Sequence, residues 1–112
     1  FNFLIENKIF RKEAVFICQN PSFDRAFIHK LIPPHRMNDA CLPYHWLDLA
    51  SMYWAKKINV TKAVNGHNLC CTSSLSKDMI AYALGLPPEQ KPHKAMGGVL
   101  HLIECYKHLI FP

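Results

Sequence analysis

The sequence lacks any apolar run near the roughly 18 residues that a membrane-spanning helix requires. It also lacks the charged, apolar and small-residue series that marks a secretory signal. These absences point away from membrane-spanning and secreted classes, and a cytoplasmic location is the expectation. Paired C-x₂-C spacings are missing too. The five cysteines (Cys18, Cys41, Cys70, Cys71 and Cys105) make neither a zinc framework nor an even disulfide set. They read as reduced thiols, buried or half-buried. His67 before Cys70 is an isolated H-x₂-C pair, and Asn59-Val60-Thr61 spells a glycosylation sequon without a secretory route. There is no basic tail, linker, internal repeat or low-complexity tract.

Half of the 112 residues are apolar and 19% are charged, a balance that suits a globular core rather than disorder. The length fits one small domain or a piece of a larger one. An opening at Phe1, within an apolar, helix-like stretch, reads as a fragment. The formal charge of +5 is compatible with a phosphate-rich partner, and equally with proteins that never touch nucleic acid. The basic residues are scattered, with Arg11-Lys12 and Lys56-Lys57 the longest runs.

Along the chain, residues 1 to 10 read as the end of a helix. Ala14-Val15-Phe16-Ile17-Cys18 is a short continuous apolar run, the pattern of a strand buried on both faces. From Ser22 to about Leu31 a helix is expected, with Phe23, Ala26, Phe27 and Leu31 on its core face. Pro33-Pro34 ends it, and residues 35 to 43 read as loop. A short strand is expected over Tyr44 to Leu47, then a helix over Leu49 to Lys57 with Asp48 as N-cap. Asn65-Gly66-His67-Asn68 is turn material. Ser74 is the expected cap of a helix striped by Leu75, Met79, Ile80, Ala83 and Leu84, stopped by Gly85 and Pro87-Pro88. The last helix spans about Lys94 to Leu109, with Ala95, Val99, Leu102, Ile103, Tyr106 and Ile110 toward the core. This order is an α/β layer structure with too little sheet, since one or two strands alone are not stable in water.

Two segments carry chemistry. Asn20-Pro21-Ser22-Phe23-Asp24 lies where the first strand passes into a helix, and a carboxylate there sits at the strand's carboxyl end, where open α/β sheets bind ligands. Asp24 can equally serve to stabilise the helix start. Pro92-His93-Lys94-Ala95-Met96 precedes the last helix. A histidine at a helix entrance is free to reach a cleft for proton transfer, or simply to meet solvent.

In this order the segments resemble DEDDh-type 3′–5′ exonucleases, the group that includes RNase T and the proofreading subunit of DNA polymerase III. Asn20 to Asp24 matches the family's N-x-x-F-D motif, and His93-Lys94-Ala95 matches the start of its H-x-A-x-x-D segment. Trp46-Leu47-Asp48 is similar to the W-x-D step before the middle helix. Ser74 to Leu86, reading SLSKDMIAYALGL, is similar to its S-L-x-x-L-x-x-x-L-G-L helix. The resemblance covers about Ala14 to Ile110. It implies the C-terminal portion of one exonuclease-like domain over residues 1–112, with a partial ribonuclease H-like fold of helices on an incomplete mixed sheet.

The family hydrolyses the terminal phosphodiester of DNA or RNA with two divalent metal ions that clamp the attacking and leaving oxygens. The resemblance therefore implies Asp24 as a metal ligand, His93 as general base, and Asn20 and Phe23 shaping the strand-to-helix turn and its packing and bordering a single-stranded 3′ end. Mg²⁺ or Mn²⁺ would be the cofactor. Two departures weaken the activity this implies. The D-x-E pair of the family's first strand has no counterpart, and the Asp expected five residues after the histidine is Gly98. One of four acidic ligands remains. An impaired nuclease, or a catalytically dead module that binds nucleic acid or a protein, is the expectation. Gly97-Gly98 within a helix also costs roughly 1 kcal/mol per residue against alanine.

Overall fold

The structure is a computed structural model that describes residues 1–65 and 75–112, with 59–65 described by their backbone only. Among the described residues it is a small α/β protein with six helices and a two-stranded parallel sheet. The chain divides into two compact units, Phe1–Asp48 and Leu49–Pro112. No helix among the described residues is long and apolar enough to cross a membrane.

The first unit runs α1 (Asn2–Glu6), β1 (Phe16–Cys18), α2 (Pro21–Leu31), α3 (Pro34–Asp39) and β2 (Trp46–Asp48). The strands pair in parallel, Phe16 opposite Trp46, Ile17 opposite Leu47 and Cys18 opposite Asp48. Strand β1 is shorter than the apolar run that announces it, and half-buried rather than enclosed on both faces. The physical reason is the width of the sheet: two short strands leave their outer faces without a full covering layer. The same reason accounts for helix α2, whose Phe23, Phe27 and Leu31 face outward at 62%, 53% and 78% exposure instead of forming core.

Core packing in this unit centres elsewhere, on Ile32, Met37 and Leu42, with Leu4, Ile5, Phe10, Phe16 and Ile28 against them. Met37 comes from α3, which occupies part of the stretch expected to be loop. Pro34 does not only end α2. It stands at the first helical position of α3, where its fixed φ fits and its missing N–H is not needed. Arg11 ties this corner together, its Nη2 donating to the backbone and side-chain oxygens of Asn38 at 2.9 Å each.

The second unit holds α4 (Leu49–Asn65), α5 (Lys77–Ala83) and α6 (Ala95–Ile110), which pack on one another around Leu49, Ala81, Cys105 and Leu109. Helix α4 continues eight residues past the expected end at Lys57, since nothing from Ile58 to Val64 is a glycine or proline. Helix α5 begins at Lys77, where Ser76 is the cap and its Oγ accepts from the Met79 N–H at 3.3 Å. The expected cap Ser74, the turn at 66–68 and the His67–Cys70 pair lie outside the described residues. Gly85 closes α5 with φ +75°, a conformation that suits glycine. In α6 the buried stripe is Cys105 and Leu109, flanked by Leu102 and Tyr106, while Val99, Ile103 and Ile110 are 50%, 39% and 43% exposed. The helix is rotated from its expected orientation because Cys105 takes the central position facing Leu49 and Ala81.

Candidate functional site

Asn20, Phe23 and Asp24 belong to the first unit, and His93 and Gly98 to the second. The first group forms around the step from β1 to α2. Asn20 caps α2 in the left-handed region (φ 57°, ψ 69°), which an asparagine tolerates better than most residues. Its backbone N–H donates to Asp48 Oδ1 at 3.2 Å. Because Cys18 pairs with Asp48, the carboxyl ends of both parallel strands come to one edge, and Asp24 joins them from the first turn of α2.

Cys18 reports this convergence. Burial raises its thiol pKa to about 11, aided by the charge of Asp24, a hydrogen bond to Asp24 and the charge of Asp48. The thiol is therefore protonated at neutral pH and bonded to the Asp24 carboxylate. Beside it opens a groove of about 590 Å³ lined by Phe16, Phe23, Asp24, Phe27, Lys30 and Trp46, among others. Phe16 and Trp46 lie with ring centroids 4.4 Å apart, and Phe23 and Phe27 at 4.9 Å, so aromatic rings line it in two pairs. Asp48, the expected cap of α4, is the last residue of β2. Its role as a second carboxylate at the strand ends was visible only as the last residue of the W-x-D step.

The second group centres on a residue that sequence reasoning missed. Glu89, in the loop between α5 and α6, has a side chain 9% exposed, and it lies 3.2 Å from Lys77 Nζ and 2.8 Å from His93 Nδ1. Lys77 also donates to the Gly98 carbonyl at 3.0 Å. His93 itself is 66% exposed, so the carboxylate takes one ring nitrogen and leaves Nε2 as the nitrogen for any proton transfer. At Gly98 a Cβ would stand 2.8 Å from Glu89 Oε1, the movable end of that side chain, and 3.4 Å from the His93 ring.

Asp78, Glu89 and His101 each bring one ligand atom within 4.8 Å of the others, an arrangement able to hold a metal ion. The Glu89 backbone N–H donates to Asp78 Oδ1 at 3.0 Å, which locks the loop onto α5. That bond is the main reason the Asp78 carboxyl sits below its ordinary value, with Lys91, His101 and Lys77 adding to it against burial. Burial is the largest influence on Glu89 and raises its pKa. Lys77, by hydrogen bond and charge, then His93 and Lys91, outweigh it and leave the group lowered. No spacing motif announces these three residues, because each comes from a different element. Neither a family model, nor a curated protein, nor a solved structure matches the chain.

Proposed function

We propose that this chain is an exonuclease-like module, of partial ribonuclease H-like fold, that holds the 3′ end of a single-stranded nucleic acid without hydrolysing it by itself. The observation that carries this reading is the meeting of Asp24 and Asp48 at Cys18, next to an aromatic groove that also presents Lys30. Unpaired bases stack on aromatic faces with little regard to sequence, at roughly 1–3 kcal/mol per base. A lysine beside such a platform suits a backbone phosphate.

Mg²⁺ or Mn²⁺ is the cofactor that the resemblance implies, and the side chains at the strand ends do not fit a pair of these ions. Hard divalent cations want six oxygen ligands in near-octahedral order. Asp24 and Asp48 are two carboxylates, and the neutral Cys18 thiol occupies part of the Asp24 shell as a hydrogen-bond donor. A thiol is a poor ligand for a hard ion. One ion completed by water is compatible with these side chains; a two-metal clamp is not. His93 keeps its assignment as a base only within a complete site.

Fluorescence anisotropy of labelled single-stranded DNA and RNA, with and without Mg²⁺, tests the reading. Saturable binding that weakens with Phe23→Ala and with a 3′-phosphate in place of the 3′-hydroxyl is expected. Failure of both strands to bind at tens of micromolar protein in low salt would remove it.

A further inference from the structure

We propose that Asp78, Glu89 and His101 form a zinc site, separate in chemistry from the strand-end carboxylates. Three ligand atoms lie within 4.8 Å of one another, and side-chain rotations would have to draw them to the roughly 3.4 Å that separates ligands around tetrahedral zinc. One imidazole and two carboxylates, with a fourth position left for water, is a donor set that zinc accepts and that magnesium, which prefers oxygen and water, does not favour.

The state of His101 supplies an observation independent of the carboxylates. Its Nε2 lies 2.8 Å from the Pro87 carbonyl oxygen, which can only accept, so Nε2 carries the proton. In the neutral ring the lone pair is then on Nδ1. That atom is buried and has no hydrogen-bond partner. A buried acceptor left without a donor is unfavourable, and a cation satisfies it. Metal-binding histidines usually have this arrangement, one nitrogen donating to a carbonyl or carboxylate and the other facing the metal. The Glu89 side chain, nine-tenths buried, brings a negative charge to the same place.

Lys77 is the competitor. Its ammonium, 3.2 Å from Glu89, neutralises the carboxylate in the metal-free protein and must yield when zinc binds. Removing it should therefore strengthen binding, whereas removing a ligand should weaken it. That opposite pair of effects is not what a merely structural ion-pair cluster would produce.

The test uses the full chain alkylated in its folded state, so that accessible thiols cannot bind metal while the buried Cys105 keeps its place in the core. Zinc affinity is measured by competition with a chromophoric indicator, and Co²⁺ serves as the spectroscopic probe. Expected is one bound ion per chain with visible d–d bands. In His101→Gln and Asp78→Asn, affinity should fall at least as far as the roughly 10–100-fold that loss of an outer-shell partner causes. Lys77→Met should bind more tightly than the parent, with helical content by circular dichroism unchanged in all three variants. The proposal is overturned if the alkylated chain binds no zinc, or if His101→Gln and Asp78→Asn, still helical, bind as the parent does.

Discussion

Glu89 Oε1 lies 2.8 Å from His93 Nδ1 and fills the space that a side chain on Gly98 would take. A carboxylate at position 98 would therefore meet the Glu89 carboxylate. It sets a second negative charge against Glu89 and competes for Lys77 and His93. Gly98→Ala removes helix-interior glycine, and moving the tip of the Glu89 side chain offsets part of the roughly 1 kcal/mol gained. Gly98→Asp should be less stable than Gly98→Asn by on the order of 1 kcal/mol, because only the aspartate adds like charge. Urea midpoints of the three variants decide it, and an aspartate variant as stable as the asparagine one would show that Glu89 is not held there.

Local signals were legible in the chain and tertiary ones were not. The stop at Gly85, the helix that follows Asn20-Pro21 and the long last helix all rest on backbone preferences that act within a few residues. Helix α3 was hidden because Pro33-Pro34 reads as a terminator unless the second proline is taken as a first helical residue. The outward stripe of α2 has the periodicity of a core face, and periodicity cannot say how wide the opposing sheet is. The Glu89 cluster joins α5, a loop and α6. Its members are 11 and 12 residues apart in sequence, so only the packed chain reveals it.

Cys18 should react far more slowly with iodoacetamide near pH 8 than Cys41, which is exposed. The thiolate is the nucleophile, and a pKa raised to about 11 leaves little of it. Asp24→Asn removes a charge and a hydrogen-bond acceptor that both favour the neutral thiol, so it should accelerate alkylation at Cys18. The sign for stability is that of a raised pKa. The contribution is full below the thiol's ordinary value of 9.0 and is lost as pH rises through about 11. Peptide-resolved mass spectrometry measures the rates; equal rates at Cys18 in parent and variant would contradict the Asp24 contact.

Asp78 and Glu89 make the second unit sensitive to acid. Both carboxyls are lowered from ordinary values of 3.8 and 4.5. Their stabilising contribution is present above those values and disappears as pH falls through the lower folded ones. In Lys77→Met the partner that outweighs burial at Glu89 is gone, so the Glu89 carboxyl takes up a proton at higher pH. The acid transition, followed by helical circular dichroism, should move to higher pH than in the parent. Superimposable acid transitions would mean that Lys77 does not govern Glu89.

Asn20 offers a way to separate a backbone role from contact with a nucleic acid. Its φ of 57° lies in the left-handed region, and the group that bonds Asp48 is its backbone N–H, not its amide side chain. Glycine reproduces both features, since it adopts positive φ without a Cβ penalty and keeps the N–H. Alanine keeps the N–H but meets the steric cost of that conformation, roughly 1–2 kcal/mol. Asn20→Gly should therefore melt close to the parent, and Asn20→Ala several degrees lower. Oligonucleotide binding then discriminates the roles. If Asn20 serves by shaping the turn that carries Phe23 and Asp24, Asn20→Gly binds single strands as the parent does, whereas Phe23→Ala loses affinity at unchanged stability. A glycine variant that folds normally yet no longer binds would return the side chain of Asn20 to direct contact with the 3′-terminal nucleotide.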